Sequence, residues 1–166
     1  MTSVIPATIR PIAPRDEPGW RHLWNAYNRF YEHEVSEAIT QATWARLLEM
    51  SGPMRAIVAE AADGTLIGFA DYILHASTWS IEPACCLEDL YVDVDRRTGG
   101  VGRMLIDWLI AEMKANHWAE LYWITHENNY RARALYDQLS RRTDYVRYDI
   151  GLSGRSGFPP TSARDL

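Results

Sequence analysis

At 166 residues the chain has the size of one domain, long enough to bury a core without disulfides or a structural metal. Its 47% hydrophobic and 23% charged residues exclude a disordered or fibrous protein. A net charge of -5 speaks against a nucleic-acid footprint and leans toward a cationic small molecule. The first nineteen residues carry no continuous apolar stretch, so neither a secretory leader nor a membrane anchor is expected. Cys85 and Cys86, the only cysteines, are adjacent, which suits neither a loop-closing disulfide nor a zinc site. A cytoplasmic protein without a bound metal is the expectation.

In chain order, Thr8 to Ile12 predicts a first strand. A helix follows with Trp20, Leu23, Trp24 and Tyr27 at helical spacing, and a second from about Thr40 to Met50, ended by Ser51-Gly52-Pro53. Arg55 to Ala61 and Thr65 to Leu74 flank Asp63-Gly64 and predict a hairpin. Cys85 to Val94 predicts the next strand, the Arg96 to Gly102 loop a connection, and Val101, Met104, Leu105, Trp108 and Leu109 a helix reaching about His117. Glu120 to Thr125 predicts a strand, Asn129 to Leu139 a helix and Tyr145 to Ile150 a last strand. Residues 1 to 150 thus form one α/β domain with a mixed sheet, and 151 to 166 a loose tail.

The loop Arg97-Thr98-Gly99-Gly100-Val101-Gly102 lies between a strand and a helix, where unpaired N–H groups and the positive helix end attract anions. A Walker A loop would need Gly-Lys-Ser/Thr, but Arg103 and Met104 follow Gly102. A dinucleotide fingerprint would need a third small residue. A glycine-rich connection without a ligand is the remaining alternative on the loop alone.

Arg97-x-x-Gly100-x-Gly102 resembles the Arg/Gln-x-x-Gly-x-Gly/Ala signature of the GNAT superfamily of N-acetyltransferases. Upstream, Leu87-Glu88-Asp89-Leu90-Tyr91-Val92 is similar to the family's central strand. Downstream, Asn129-x-x-Ala132-x-x-Leu135-Tyr136 resembles its CoA-contacting helix. Within the superfamily, Gly68-Phe69-Ala70-x-Tyr72, Trp79 and Leu87-Glu88-Asp89 look most similar to spermidine/spermine and diamine acetyltransferases. Thr98, where many members have Gly, and Cys86 depart from that pattern.

The resemblance implies acetyl-CoA as donor, held by Leu90, Tyr91, Val92, Arg97, Thr98, Gly99, Gly100, Val101, Gly102, Arg103, Asn129, Ala132 and Tyr136. The backbone of Leu90 and Val92 would pair with pantetheine. Direct transfer to a primary amine is implied, with Tyr136 as the acid for the leaving sulfur. Homodimerisation is implied as well. A non-catalytic acetyl-CoA-binding module, or an enzyme acting on peptide amines or aminoglycosides, are the alternatives.

Neutralising an alkylammonium at pH 7 costs roughly 4 kcal/mol, so a proton acceptor is needed. Alternation on a strand puts Glu88 and Asp89 on opposite faces, and the resemblance selects Glu88 as base, water relay or substrate anchor. Tyr136 follows Asn129 by two helical turns and shares its face. Cys85 and Cys86 lack an activating base, and His126 reads as a surface histidine. Tyr31, Glu34, Trp79 and Glu82, together with Glu88, are expected to border a small cationic amine, a diamine or polyamine above all.

Overall fold

The computed structural model describes residues 6–97 and 99–150. The expected tail, 151 to 166, and Thr98 lie outside the described residues. Five strands form one sheet in the order β1-β2-β3-β4-β5: Ala7–Pro11, Met54–Ala61, Leu66–Ser77, Ser80–Val92 and Glu120–Tyr122. The first four pair antiparallel and β5 joins β4 in parallel, so the sheet is mixed as the order of elements predicts. Helices α1 (Glu17–Phe30) and α2 (Glu37–Leu47) cover one face, and α3 (Val101–Ala115) covers the other, where α4 (Tyr130–Leu139) adds Leu135, Tyr136 and Leu139.

Two apolar layers explain the uninterrupted apolar run of β2. Ala56 and Val58 pack with Trp20, Leu23, Trp24, Trp44 and Leu47 beneath α1 and α2. Ile57 and Ala59 turn the other way, into Val101, Leu105, Ile106 and Leu109 of α3. A strand covered on both faces has no polar side to show, which removes the alternation. Helix α2 starts at Glu37, three residues before its predicted start, because the Ser36 hydroxyl caps it by accepting the Ile39 N–H at 3.3 Å.

Two expectations at the end of the chain are corrected. Strand β5 stops at Tyr122 rather than Thr125, since its ladder with β4 covers only Ala84–Cys86. No strand forms over 145–150. Tyr145, Val146, Tyr148 and Ile150 are exposed, and the alternation that suggested a strand has no neighbour to pair with in the described chain.

Candidate active site

The early divergence of β5 shapes the site. Beyond Cys86, the edge of β4 that faces β5 continues to Val92 without a strand partner, so its backbone groups along Leu87–Val92 meet no neighbouring strand there. At the far end of this edge the chain turns through Val94–Arg96 and enters α3 at Gly100. Gly100 has φ +76 and is exposed, and a Cβ built on it would meet nothing within 4 Å. The helix has no side-chain cap at its start, so its first N–H groups have no side-chain acceptor there and its positive dipole end is uncompensated by a cap. A pyrophosphate and an extended pantetheine arm fit these features, the one at the α3 N-terminus and the other along β4. Val101 sends its side chain into the core, so only its backbone could meet a ligand, and the same holds for Tyr91, buried against α1. Arg97 is held in place: Nε donates to Val92 O at 3.0 Å and the guanidinium lies over Phe30 and Tyr91, 4.9 and 5.2 Å from the ring centres. Arg103 points outward and pairs with Asp107 at 3.4 Å.

The glycines separate by substitution. A Cβ on Gly102 would meet Leu135 at 3.6 Å and Val92 at 3.7 Å, ordinary contacts, so Gly102→Ala should fold with equal or higher stability, as helix propensity favours Ala by about 1 kcal/mol. Gly100→Ala should cost about 1 kcal/mol at its left-handed φ, and weaken acetyl-CoA binding about tenfold by placing a methyl group where phosphate approaches. Thermal melts and calorimetry on the two variants check this. Equal affinities would remove the loop from the donor site.

Next to this edge four groups meet. Asn129 caps α4, accepting the Ala132 N–H at 3.5 Å, while its Nδ2 donates to Tyr31 Oη at 3.4 Å and Thr125 Oγ1 at 3.1 Å. It therefore precedes the helix rather than sharing a helical face with Tyr136, and its amide ties α4 to the end of α1. Tyr136 is half-buried with its ring against Trp123, centroids 5.3 Å apart. Burial, and secondarily the nearby Tyr31, push its phenol up to about 12. That hydroxyl keeps its proton at neutral pH.

The pairing of β3 with β4 corrects a second expectation. Asp71 stands opposite Asp89 and Tyr72 opposite Leu87, so Glu88 is an extra residue, a β-bulge. Before it Cys85 and Leu87 face the α3 layer, and after it Leu90 and Val92 do. The bulge resets the alternation, and Glu88 and Asp89 both line one cavity of about 110 Å³ with Asp71, Tyr72, Ile73, Trp24, Thr43 and Met54. They do not point to opposite faces. Glu88 is exposed, whereas Asp89 is half-buried and its Oδ1 accepts the Tyr27 O–H at 2.5 Å.

The expected amine-side residues are only partly brought together. Tyr31 joins Asn129 and Tyr136. Glu34 is exposed in the segment after α1. Trp79, 90% exposed, and Glu82 lie at the tip of the β3–β4 hairpin, six residues or more from Glu88, about 20 Å along the strand. They do not border the cavity within this chain. His126 is exposed, its ring 6.0 Å from Tyr31, and Cys85 and Cys86 are free thiols pushed up to about 12 and about 11, mainly by burial. Neither is an activated nucleophile. Tyr27 and Asp71 were not singled out for function by sequence, and Asp89 was weighed only as the neighbour of Glu88, although Asp71 is the one acid within the apolar run Leu66–Leu74.

A mixed sheet, a splayed central strand and an open helix N-terminus after a glycine turn define an acyl-CoA-dependent transferase architecture. The acetyltransferase (GNAT) family model matches residues 19–140, and the chain belongs to that family. It is 32% identical over 141 residues to the D-amino-acid N-acetyltransferase HPA3 of Saccharomyces cerevisiae, covering 84% of this chain and 88% of that protein. Among solved structures it superposes on a ribosomal-protein-alanine N-acetyltransferase from Brucella melitensis biovar Abortus 2308 with a TM-score of 0.75 and 22% identity, over 89% of this chain and 100% of that one. A second likeness is an aminoglycoside acetyltransferase from an uncultured soil metagenomic sample, with TM-score 0.74, 17% identity, and coverage of 88% and 96%. The chain is thus a GNAT-type, acetyl-CoA-dependent N-acetyltransferase. Among the described residues no helix is long and apolar enough to cross a membrane.

Proposed function

We propose that the chain acetylates the primary amine of a small cationic acceptor that enters from the α1–α2 face of β4. The observation that carries this reading is the cavity beside β4, where three carboxyl side chains, Asp71, Glu88 and Asp89, stand among Trp24, Met54, Tyr72 and Ile73. No arginine or lysine is among the described residues that line it, so it suits an ammonium group on an apolar stem better than a group carrying its own carboxylate. Diamines and polyamines have that chemistry. The second reading, an amino acid acceptor, is favoured by the 32% identity to a D-amino-acid N-acetyltransferase.

Bound along β4, acetyl-CoA would supply the acyl carbon that the amine attacks and the sulfur that leaves. The backbone of Leu90 and the N–H of Val92 would orient the donor, and the N–H groups of Gly100, Val101 and Gly102 would hold its phosphates. Tyr136 holds a proton at Oη for the leaving sulfur. Glu88, at the cavity mouth, attracts the incoming ammonium.

Product mass spectrometry and thiol release with putrescine, spermidine, butylamine and paired D- and L-amino acids would test this. The expected order is putrescine and spermidine first, by about tenfold in kcat/KM over butylamine, from a second attraction to the acid-lined mouth. A D-amino acid with higher kcat/KM than every diamine would establish the second reading instead.

A further inference from the structure

Asp71 is the least accounted-for group in the molecule. It sits in the middle of β3, 3% exposed, and neither carboxyl oxygen has a hydrogen-bond partner among the described residues. Among the described residues it caps no helix and joins no ion pair. A buried carboxyl left unsatisfied costs stability, more if charged, so it stabilises nothing by itself. Its side chain lines the cavity and stands directly opposite Asp89 in the β3–β4 register, with side chains from paired positions on one face of the sheet. Of the two oxygens of Asp89, Oδ1 is taken by Tyr27. Both oxygens of Asp71 and Oδ2 of Asp89 thus have no hydrogen-bond partner among the described residues, and an ammonium group brings N–H donors that a carboxyl oxygen can accept.

We propose that Asp71 and Asp89 form a buried carboxyl pair that seats the acceptor's ammonium group and receives its proton at Asp89 Oδ2. The assignment rests on the acetyl-transfer reading above and moves the proton acceptor from the exposed Glu88 to its neighbour. In the step, one N–H bond of the ammonium breaks, its electron pair stays on nitrogen as the attacking lone pair, and the proton bonds to Asp89 Oδ2. Asp71 keeps its own proton, so the pair carries one negative charge against one ammonium, and its carbonyl oxygen accepts a second N–H and orients the nitrogen. Asp71 is in this sense a catalytic-site ligand for the amine and Asp89 the base.

The electrostatics agree with this division. Burial, then the charge of Asp89, push the Asp71 carboxyl well above the usual range, keeping it protonated. Burial pushes Asp89 up to about 6, the Tyr27 hydrogen bond opposing it and Glu88 adding to it. A base of that value is ionised at neutral pH yet far more basic than a solvated aspartate. The titratable groups facing the pair are Tyr27 from α1, Tyr31 just after it and Glu88 from β4, while Trp24 and Thr43 present no charge from α1 and α2.

The test uses Asp71→Asn, Asp71→Leu and Asp89→Asn in the full chain, with kcat and KM for butylamine and putrescine between about pH 5 and 9, acetyl-CoA affinity by calorimetry, and thermal melts. Asp71→Leu should raise the melting midpoint, because it removes the unsatisfied carboxyl, while raising KM for the amine about 30-fold or more. Asp71→Asn should raise KM about tenfold. Asp89→Asn should lower kcat about 100-fold or more and abolish the acid limb near pH 6, with acetyl-CoA affinity unchanged in all three. Wild-type KM in both Asp71 variants, or a surviving acid limb in Asp89→Asn, would overturn the pair. If the wild type acetylates none of these amines, the acceptor reading above fails, and the seat is then read directly: millimolar butylammonium chloride should raise the midpoint of the wild type relative to sodium chloride, but not that of Asp71→Leu. Equal response of the two proteins overturns it.

Discussion

Tyr136→Phe should lower kcat about 100-fold, about 2.7 kcal/mol in barrier, while acetyl-CoA affinity stays within about twofold. The ring that packs on Trp123 is retained, and only the hydroxyl proton is lost. Because burial and Tyr31 hold the phenol at about 12, the wild type carries that proton throughout the working range, and Tyr136 should produce no alkaline limb below about pH 11. The loss in the variant should consequently be the same factor at every pH between about 6 and 9. A pH-dependent loss would assign the effect to another group, and unchanged kcat would remove Tyr136 from the leaving-group step. Steady-state kinetics with saturating donor decide between them.

The pieces legible in the sequence were those that local periodicity or a spaced motif specifies. The α3 stripe and the glycine turn before it are written in consecutive residues, as is the Asp63-Gly64 hairpin turn, and all stand where expected. The bulge at Glu88 was not legible, because it exists only in the register between two strands. A strict period of two therefore sent Glu88 and Asp89 to opposite faces, and the buried partner of Tyr27 was passed over in favour of the exposed acid beside it. Asn129 was placed on a helical face, whereas its side chain competes for the backbone and caps the helix, as short polar side chains do at such ends. Trp79 was read as a wall of the cleft from the resemblance and its place before the strand that carries Glu88, yet nine residues of strand geometry carry it about 30 Å away. The amine side of the site is built by cross-strand neighbours, Asp71 with Asp89, that stand 18 positions apart in the chain, a relation no local pattern records.

Arg10→Ala should cost about 2–3 kcal/mol in unfolding free energy near pH 7, lowering the melting midpoint by about 5–10 °C. Arg10 lies on the edge strand β1 and grips Asp16, just before α1, with two hydrogen bonds of 2.6 and 2.8 Å, while its Nε donates to Glu60 on β2. Asp16 is 6% exposed and also accepts the Ala13 N–H at 2.8 Å. Removing Arg10 leaves that carboxylate without its main partner, which costs more than the intact pair contributes over an apolar replacement. Arg10 keeps a fifth of its side-chain surface in solvent, so the cost falls below that of a fully dry pair. The pH dependence separates this account from simple lost packing. Hydrogen bonding to Arg10, above all other causes, holds the Asp16 carboxyl below its ordinary range. A depressed carboxyl contributes stability that is present above its unfolded value near 4 and is lost as pH falls through its lower folded value. The difference between wild type and Arg10→Ala should therefore be largest at about pH 6–7 and shrink as pH drops below about 4. Asp71 and Asp89, whose carboxyls are raised, change stability in the opposite direction, but they are common to both proteins and cancel in the difference. Urea titrations of the two proteins at several pH values would measure that difference, and a gap independent of pH would mean that Arg10 acts through its stem rather than its charge.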